Sequence, residues 1–395
     1  MTRSTPAPTN AVRPARRAGA VTPRRAAGRL VLLLAGGIAL LAGLDGALLL
    51  LGLSAPIVSA RLADVHGPLM VFGFVGTVVV LERAVAVRKK WAFLAPAFLG
   101  AGGLAVLSPL PLLVGRLGFV AGSVMLLPIY LVIWRRAPST STAVQALGAM
   151  LGLMATVLWL GGVPVPQLVP AMTFYLVLTI AGERLELARI SPTVDERAET
   201  RLLGVALSLA AGVVAALFWP LIGYPLLGIG TLALVAWLFR HDVATRLIRH
   251  HGLPRFMAAC LLAGYAWLIV AGGSWLILGA SYSGPAYDAV LHSVFLGFVM
   301  SMIMAHAPTI LPAVLRRPLP YRPAMYGPAV LLHASLLVRV LIGDARGVAE
   351  AVQWGGVVNI VAVLAFVVVA VASVLRGAPV PRVSPPTRKT LDLTS

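Results

Sequence analysis

Two histidines stand where ionisable side chains are costly. His66 lies in DVHGPLMVFGFVGTVVVLERAVAVRKK, and His292 lies in YDAVLHSVFLGFVMSMIMAHAPTILP. Both follow an acidic residue, Asp64 and Asp288, and both precede a Gly-Phe-Val step, Gly73-Phe74-Val75 and Gly297-Phe298-Val299. Ionisable groups inside bilayer-length segments usually face the bundle interior or a cavity. Imidazole suits a metal, haem iron above all. Two imidazoles at one depth would serve as the axial pair of a b-type haem.

Other residues fit around such a pair. Gly67, Gly73, Gly76 and Gly297 let helices approach closely and leave room for a flat macrocycle. Met70, Phe72, Phe74, Phe295 and Phe298 would line an apolar pocket. Haem propionates need cationic partners, and Arg–carboxylate pairing is the expected chemistry. Arg61, Arg339 and Arg346 are the candidates on the histidines' side. Asp45, Asp64 and Asp288 would orient a histidine by accepting its second ring proton, or cap and solvate loop ends. His306 and His333 are expected in consecutive antiparallel spans at similar depth, as a copper or second haem site or as a hydrogen-bonded pair. For each histidine the alternative is an interfacial side chain bonded to a neighbour.

The elements that must position these residues follow from composition. The chain has 395 residues, 59% hydrophobic and 11% charged. Apolar runs of about 20 residues recur throughout, the length that crosses a hydrocarbon core of about 30 Å. The expected fold is all-α, a polytopic membrane protein. The spans read as 29–53, 64–87, 91–109, 112–134, 141–162, 166–188, 202–221, 223–240, 255–280, 287–313, 325–343 and 351–375. The third and fourth are the hardest to divide. Residues 1–28 read as a disordered basic tail and 377–395 as a flexible one.

Net charge is +19, carried in short loops and tails rather than on a basic stripe with stacking aromatics, so nucleic acid is not expected as a partner. The placement of arginine and lysine orients the chain. With twelve spans and both termini cytoplasmic, only Arg61, Arg116, Arg339 and Arg346 fall outside. An odd number would put the C-terminal arginines outside. The expectation is a multi-pass protein of a bacterial-type inner membrane, in contact with the lipid bilayer. His66 and His292 then share the outer side, within a few Å in depth at about 1.5 Å per residue. His241, His250 and His251 are expected to be solvated in a basic cytoplasmic loop.

The second span ends in LERAVAVR and the sixth in GERLELAR. This recurrence hints at three four-helix modules in a pseudo-threefold arrangement, or at convergent interfacial anchors. Glu82 with Arg83 and Glu183 with Arg184 are expected to pair locally. The single cysteine, Cys260, excludes an intrachain disulfide or thiolate metal cluster and reads as a small apolar helix residue. No P-loop, dinucleotide fingerprint or nucleophile elbow is present in the sequence.

A His-x-x-x-Met-x-Phe step in helix two and a histidine in helix ten of twelve resemble subunit I of the haem–copper oxidases. The resemblance implies that His66 and His292 bind a low-spin haem and that arginines after helix eleven hold its propionates. The sixth and seventh spans lack the histidines that supply copper ligands there, and Val290 replaces part of the His-x-His pair. The oxygen- or nitric-oxide-reducing centre is therefore not carried over. LHSVFLGFVMSMIMAHAPTILP is also similar to the tenth-helix region of the NnrS family, haem- and copper-containing proteins linked to nitric oxide tolerance. That resemblance implies a role in nitric oxide stress or electron transfer, with nitric oxide or a respiratory protein as partner. Two alternatives stay open: a secondary transporter, and a non-catalytic haem or copper assembly protein.

Overall fold

The computed structural model describes residues 23–189 and 194–377. Among these residues twelve helices are long and apolar enough to cross a membrane. They are α1 (Ala27–Leu50), α2 (Arg61–Val87), α3 (Lys90–Leu107), α4 (Leu112–Arg136), α5 (Thr140–Leu160) and α6 (Val165–Ala188). Then come α7 (Glu196–Phe218), α8 (Pro220–His241), α9 (Leu253–Leu278), α10 (Gly284–Val314), α11 (Pro323–Asp344) and α12 (Ala349–Arg376). No strand occurs among the described residues.

Every expected span is matched by a helix, and the differences lie at the ends. The first helix already begins at Pro23, so 23–28 is helical rather than part of a disordered tail. The remaining tail residues, 1–22 and 378–395, lie outside the described residues. α3 and α4 are separate helices, broken at 108–111, where Ser108 Oγ donates to Ala105 O at 2.8 Å. α7 starts six residues before the expected 202 because Asp195 caps it, its carboxylate accepting from Ala198 N at 2.8 Å. Glu196 and Glu199 in that first turn complement the positive end of the helix dipole.

Helices that follow one another in sequence pack as neighbours, notably α3 with α4, α5 with α6, and α7 through α9. α6 is buried along nearly all its length, the pattern of a helix that is apolar all round and sits at the centre. Most of the others, α2 and α10 excepted, expose large apolar side chains outward, such as Leu41, Leu117, Leu207, Ile229 and Val368, as lipid contact requires. α2 and α10 pack together through Thr77–Val87 and Ser301–Leu315. Their N-terminal halves, with α1, α6, α11 and α12, surround a cavity.

Three helices depart from α geometry beside that cavity. π-helical stretches run over Leu69–Gly76 in α2, Ser293–Met300 in α10 and Val338–Asp344 in α11. π-turns are rare and occur frequently at functional sites. The repeated Gly-Phe-Val steps fall inside the first two.

Candidate functional site

The cavity has a volume of about 430 Å³ and is lined by both His66 and His292. Small residues on α1 make the first contact possible. A Cβ on Gly46 would lie 2.9 Å from the Leu62 carbonyl, and one on Gly43 would meet the Met70 side chain. With no side chain there, α2 settles against α1 and His66 Nδ1 reaches Gly43 O at 2.7 Å. A carbonyl only accepts, so Nδ1 carries the proton and Nε2 keeps its lone pair. His292 is set the same way by its own helix. Its Nδ1 donates to Asp288 O at 2.9 Å, with the Asp288 carboxylate at 3.2 Å. Among the described residues neither Nε2 has a hydrogen-bond partner. This is how proteins prepare imidazole to ligate a metal: the far nitrogen is pinned and the near one is left free.

Asp288 ties a third group to the pair. Arg339 donates from Nε and Nη2 to the two Asp288 oxygens, each at 2.8 Å. Such bidentate pairing fixes the plane of the guanidinium. Arg339 is 7% exposed and lines the cavity, and its Nη1 has no hydrogen-bond partner among the described residues. Gly356 on α12 gives that nitrogen room, since a Cβ there would lie 2.7 Å from it. Most of the remaining wall is apolar and includes Met70, Val75, Met172, Phe295 and Val299. Asp64 lines the cavity as well, whereas Asp45 accepts from Ile57 N at 3.2 Å.

Of the three expected arginines only Arg339 faces this cavity. Arg61 donates from Nη1 to Ser108 O at 2.7 Å and Leu110 O at 2.9 Å, stapling the α3–α4 break. It lines a different cavity, together with Asp45. The reason is helical geometry: five residues before His66 is about 140° around the helix at 3.6 residues per turn. Arg346 sits in the α11–α12 loop and is exposed.

His306 and His333 do not converge. His306 Nδ1 donates to Met302 O at 2.7 Å, so Nε2 accepts from Arg184 Nη1 at 3.0 Å. His333 Nδ1 accepts from Trp267 Nε1 at 3.0 Å, and its Nε2 lies 3.3 Å from Ser301 Oγ. Both nitrogens of each ring are occupied, and no group of three metal-ligating side chains occurs among the described residues.

Two further expectations are corrected. His241 is buried, stacked on Trp237 with ring centroids 4.7 Å apart and bonded to its carbonyl at 2.9 Å. It is the last residue of α8, not part of a solvated loop; His250 and His251 are exposed. The two Glu-Arg endings do not each pair locally. Arg83 bridges Glu82 and Glu183, joining α2 to α6. Arg184 instead forms a buried pair with Asp242 at 2.7 Å, a carboxylate that also accepts from Tyr265 at 2.7 Å. Cys260 is buried in α9, as a small apolar residue would be.

Asn359 belongs to the site and was not anticipated. It is 2% exposed, lines the cavity from α12, and its Oδ1 has no hydrogen-bond partner among the described residues. Its signal in the sequence is a lone amide inside an apolar span, WGGVVNIVAV.

The family model described as a domain of unknown function, DUF8744, matches residues 29–375, so the chain belongs to that family. No curated protein and no solved structure matches it.

Proposed function

We propose that this member of the DUF8744 family is a membrane haem protein, in which His66 and His292 would hold one b-type haem between α2 and α10. One observation carries the reading. Both imidazoles line one membrane-embedded cavity, each with Nδ1 held by a carbonyl and Nε2 unpartnered. The residues fit the group: an apolar wall for the macrocycle, glycines where helices close up, and one buried arginine with a free donor. The haem would supply one-electron chemistry. The protein fixes the imidazole tautomers, orients the guanidinium through Asp288 and excludes water with apolar side chains.

The NnrS-like role, in nitric oxide stress or electron transfer with a respiratory partner, is the activity class this site would serve. Copper is not part of the proposal, because His306 and His333 are engaged elsewhere. The arginine distribution supports cytoplasmic termini in a bacterial-type inner membrane, with the haem near the outer face. Purified protein from haem-replete cells is expected to show a Soret band with the α and β bands of a low-spin haem. His66→Ala and His292→Ala each lose that low-spin spectrum. A colourless protein that takes up no added haemin rules the reading out, and ion-coupled uptake untouched by either substitution would favour a transporter.

A further inference from the structure

We propose that Arg339 Nη1 and Asn359 Oδ1 form a subsite for a neutral carboxylic acid group of the cavity's occupant. This inference rests on the haem reading, and the acid group is then a haem propionate.

The orientation of the Asn359 amide is fixed by its neighbours. One end lies 3.1 Å from Leu332 O, which can only accept, so that end is the NH2 group. Nδ2 also lies 2.6 Å from Ser335 Oγ, whose own proton is committed to Leu331 O at 2.7 Å. Oδ1 is therefore an acceptor in need of a donor, on a side chain almost wholly buried. Leaving a buried acceptor unpaired is costly.

Arg339 Nη1 offers the opposite chemistry nearby. It sits over Gly356, one helical turn before Asn359 on the same face of α12. The wall thus carries a donor and an acceptor about one turn apart along α12. A carboxylate satisfies the donor alone. A carboxylic acid satisfies both, its carbonyl accepting from Nη1 and its hydroxyl donating to Oδ1.

Charge points the same way. The bidentate contact with Asp288 already balances the Arg339 cation. The other titratable groups lining the cavity are Asp64, His66, Tyr287 and His292, none of which adds a fixed positive charge with the imidazoles neutral. A further carboxylate against this wall would find no unpaired cationic side chain to balance it, which is unfavourable in a low-dielectric site.

The test is infrared difference spectroscopy on protein loaded with haemin carrying ¹³C at its propionate carboxyls. The expected result is a label-sensitive band in the protonated-carboxyl region that also moves in D2O. Asn359→Leu loses this band relative to the Soret band. Ser335→Ala removes the amide's other partner without touching Oδ1, and it keeps both. A Soret band accompanied only by label-sensitive carboxylate bands overturns the subsite and leaves the haem reading standing; an ordered water filling the acceptor would give this result. Absence of any Soret band in the wild type overturns the haem reading and the subsite with it.

Discussion

At the scale of single residues, the four histidines of the membrane-spanning helices that were candidate ligands are told apart by where their last hydrogen bond goes. His66 and His292 each spend one nitrogen on the backbone and keep the other. His306 and His333 spend both. The same accounting makes Arg184 structural: its charge is matched by Asp242, and that carboxylate is further held by Tyr265 and the Ala244 amide. Removing one partner of a buried pair strands the other charge. Arg184→Met is expected to cost about 3–5 kcal/mol, and combining it with Asp242→Leu should recover much of the loss. Denaturation of the detergent-solubilised protein measures both. Equal stability of the single variant and the wild type would show that the pair carries no weight.

At the scale of elements, small residues determine how close helices come, and closeness determines what a side chain reaches. His66 meets Gly43 O only because α1 carries glycine at 43 and 46. Gly46→Ala would set a Cβ 2.9 Å from the Leu62 backbone oxygen, a contact no rotamer change relieves. Overpacking of this kind costs about 1–3 kcal/mol. Here it should also weaken or broaden the low-spin haem spectrum by displacing α2, while the remote Gly204→Ala, with nothing within 4 Å, leaves the spectrum unchanged. An unaltered spectrum in Gly46→Ala would separate the α1–α2 contact from the site. The π-helical stretches belong to this scale too. They occupy α2, α10 and α11 beside His66, His292 and Arg339. The widened turns change which side chains point inward, which a strict 3.6-residue period would misplace.

At the scale of the whole molecule, twelve spans put both ends of the chain on one side. On the proposed orientation, argued from the arginine and lysine distribution, that side is the cytoplasmic one. Arg346, in the α11–α12 loop, and Lys89, between α2 and α3, should then lie on opposite faces; both are exposed. In a Cys260→Ser background, Arg346→Cys is expected to react with a membrane-impermeant thiol reagent on intact cells. Lys89→Cys should react only after permeabilisation. The reverse pattern would invert the topology and move the histidine cavity to the cytoplasmic side.

The amino-acid sequence by itself determined the helical fold and the number of spans. A bilayer demands that each segment satisfy its own backbone, so each span is written in local composition without reference to its neighbours. It also singled out His66 and His292, because an imidazole in an apolar run is conspicuous wherever it packs. What only the tertiary structure decided is which faces meet. In lipid a helix is apolar on most sides, so its pattern says little about facing. Hence Arg339 turns to the cavity while Arg61 staples a loop, and His241 is stacked in a helix end. Arg184 crosses to Asp242, and Asn359 brings an unpaired acceptor to the cavity wall from α12.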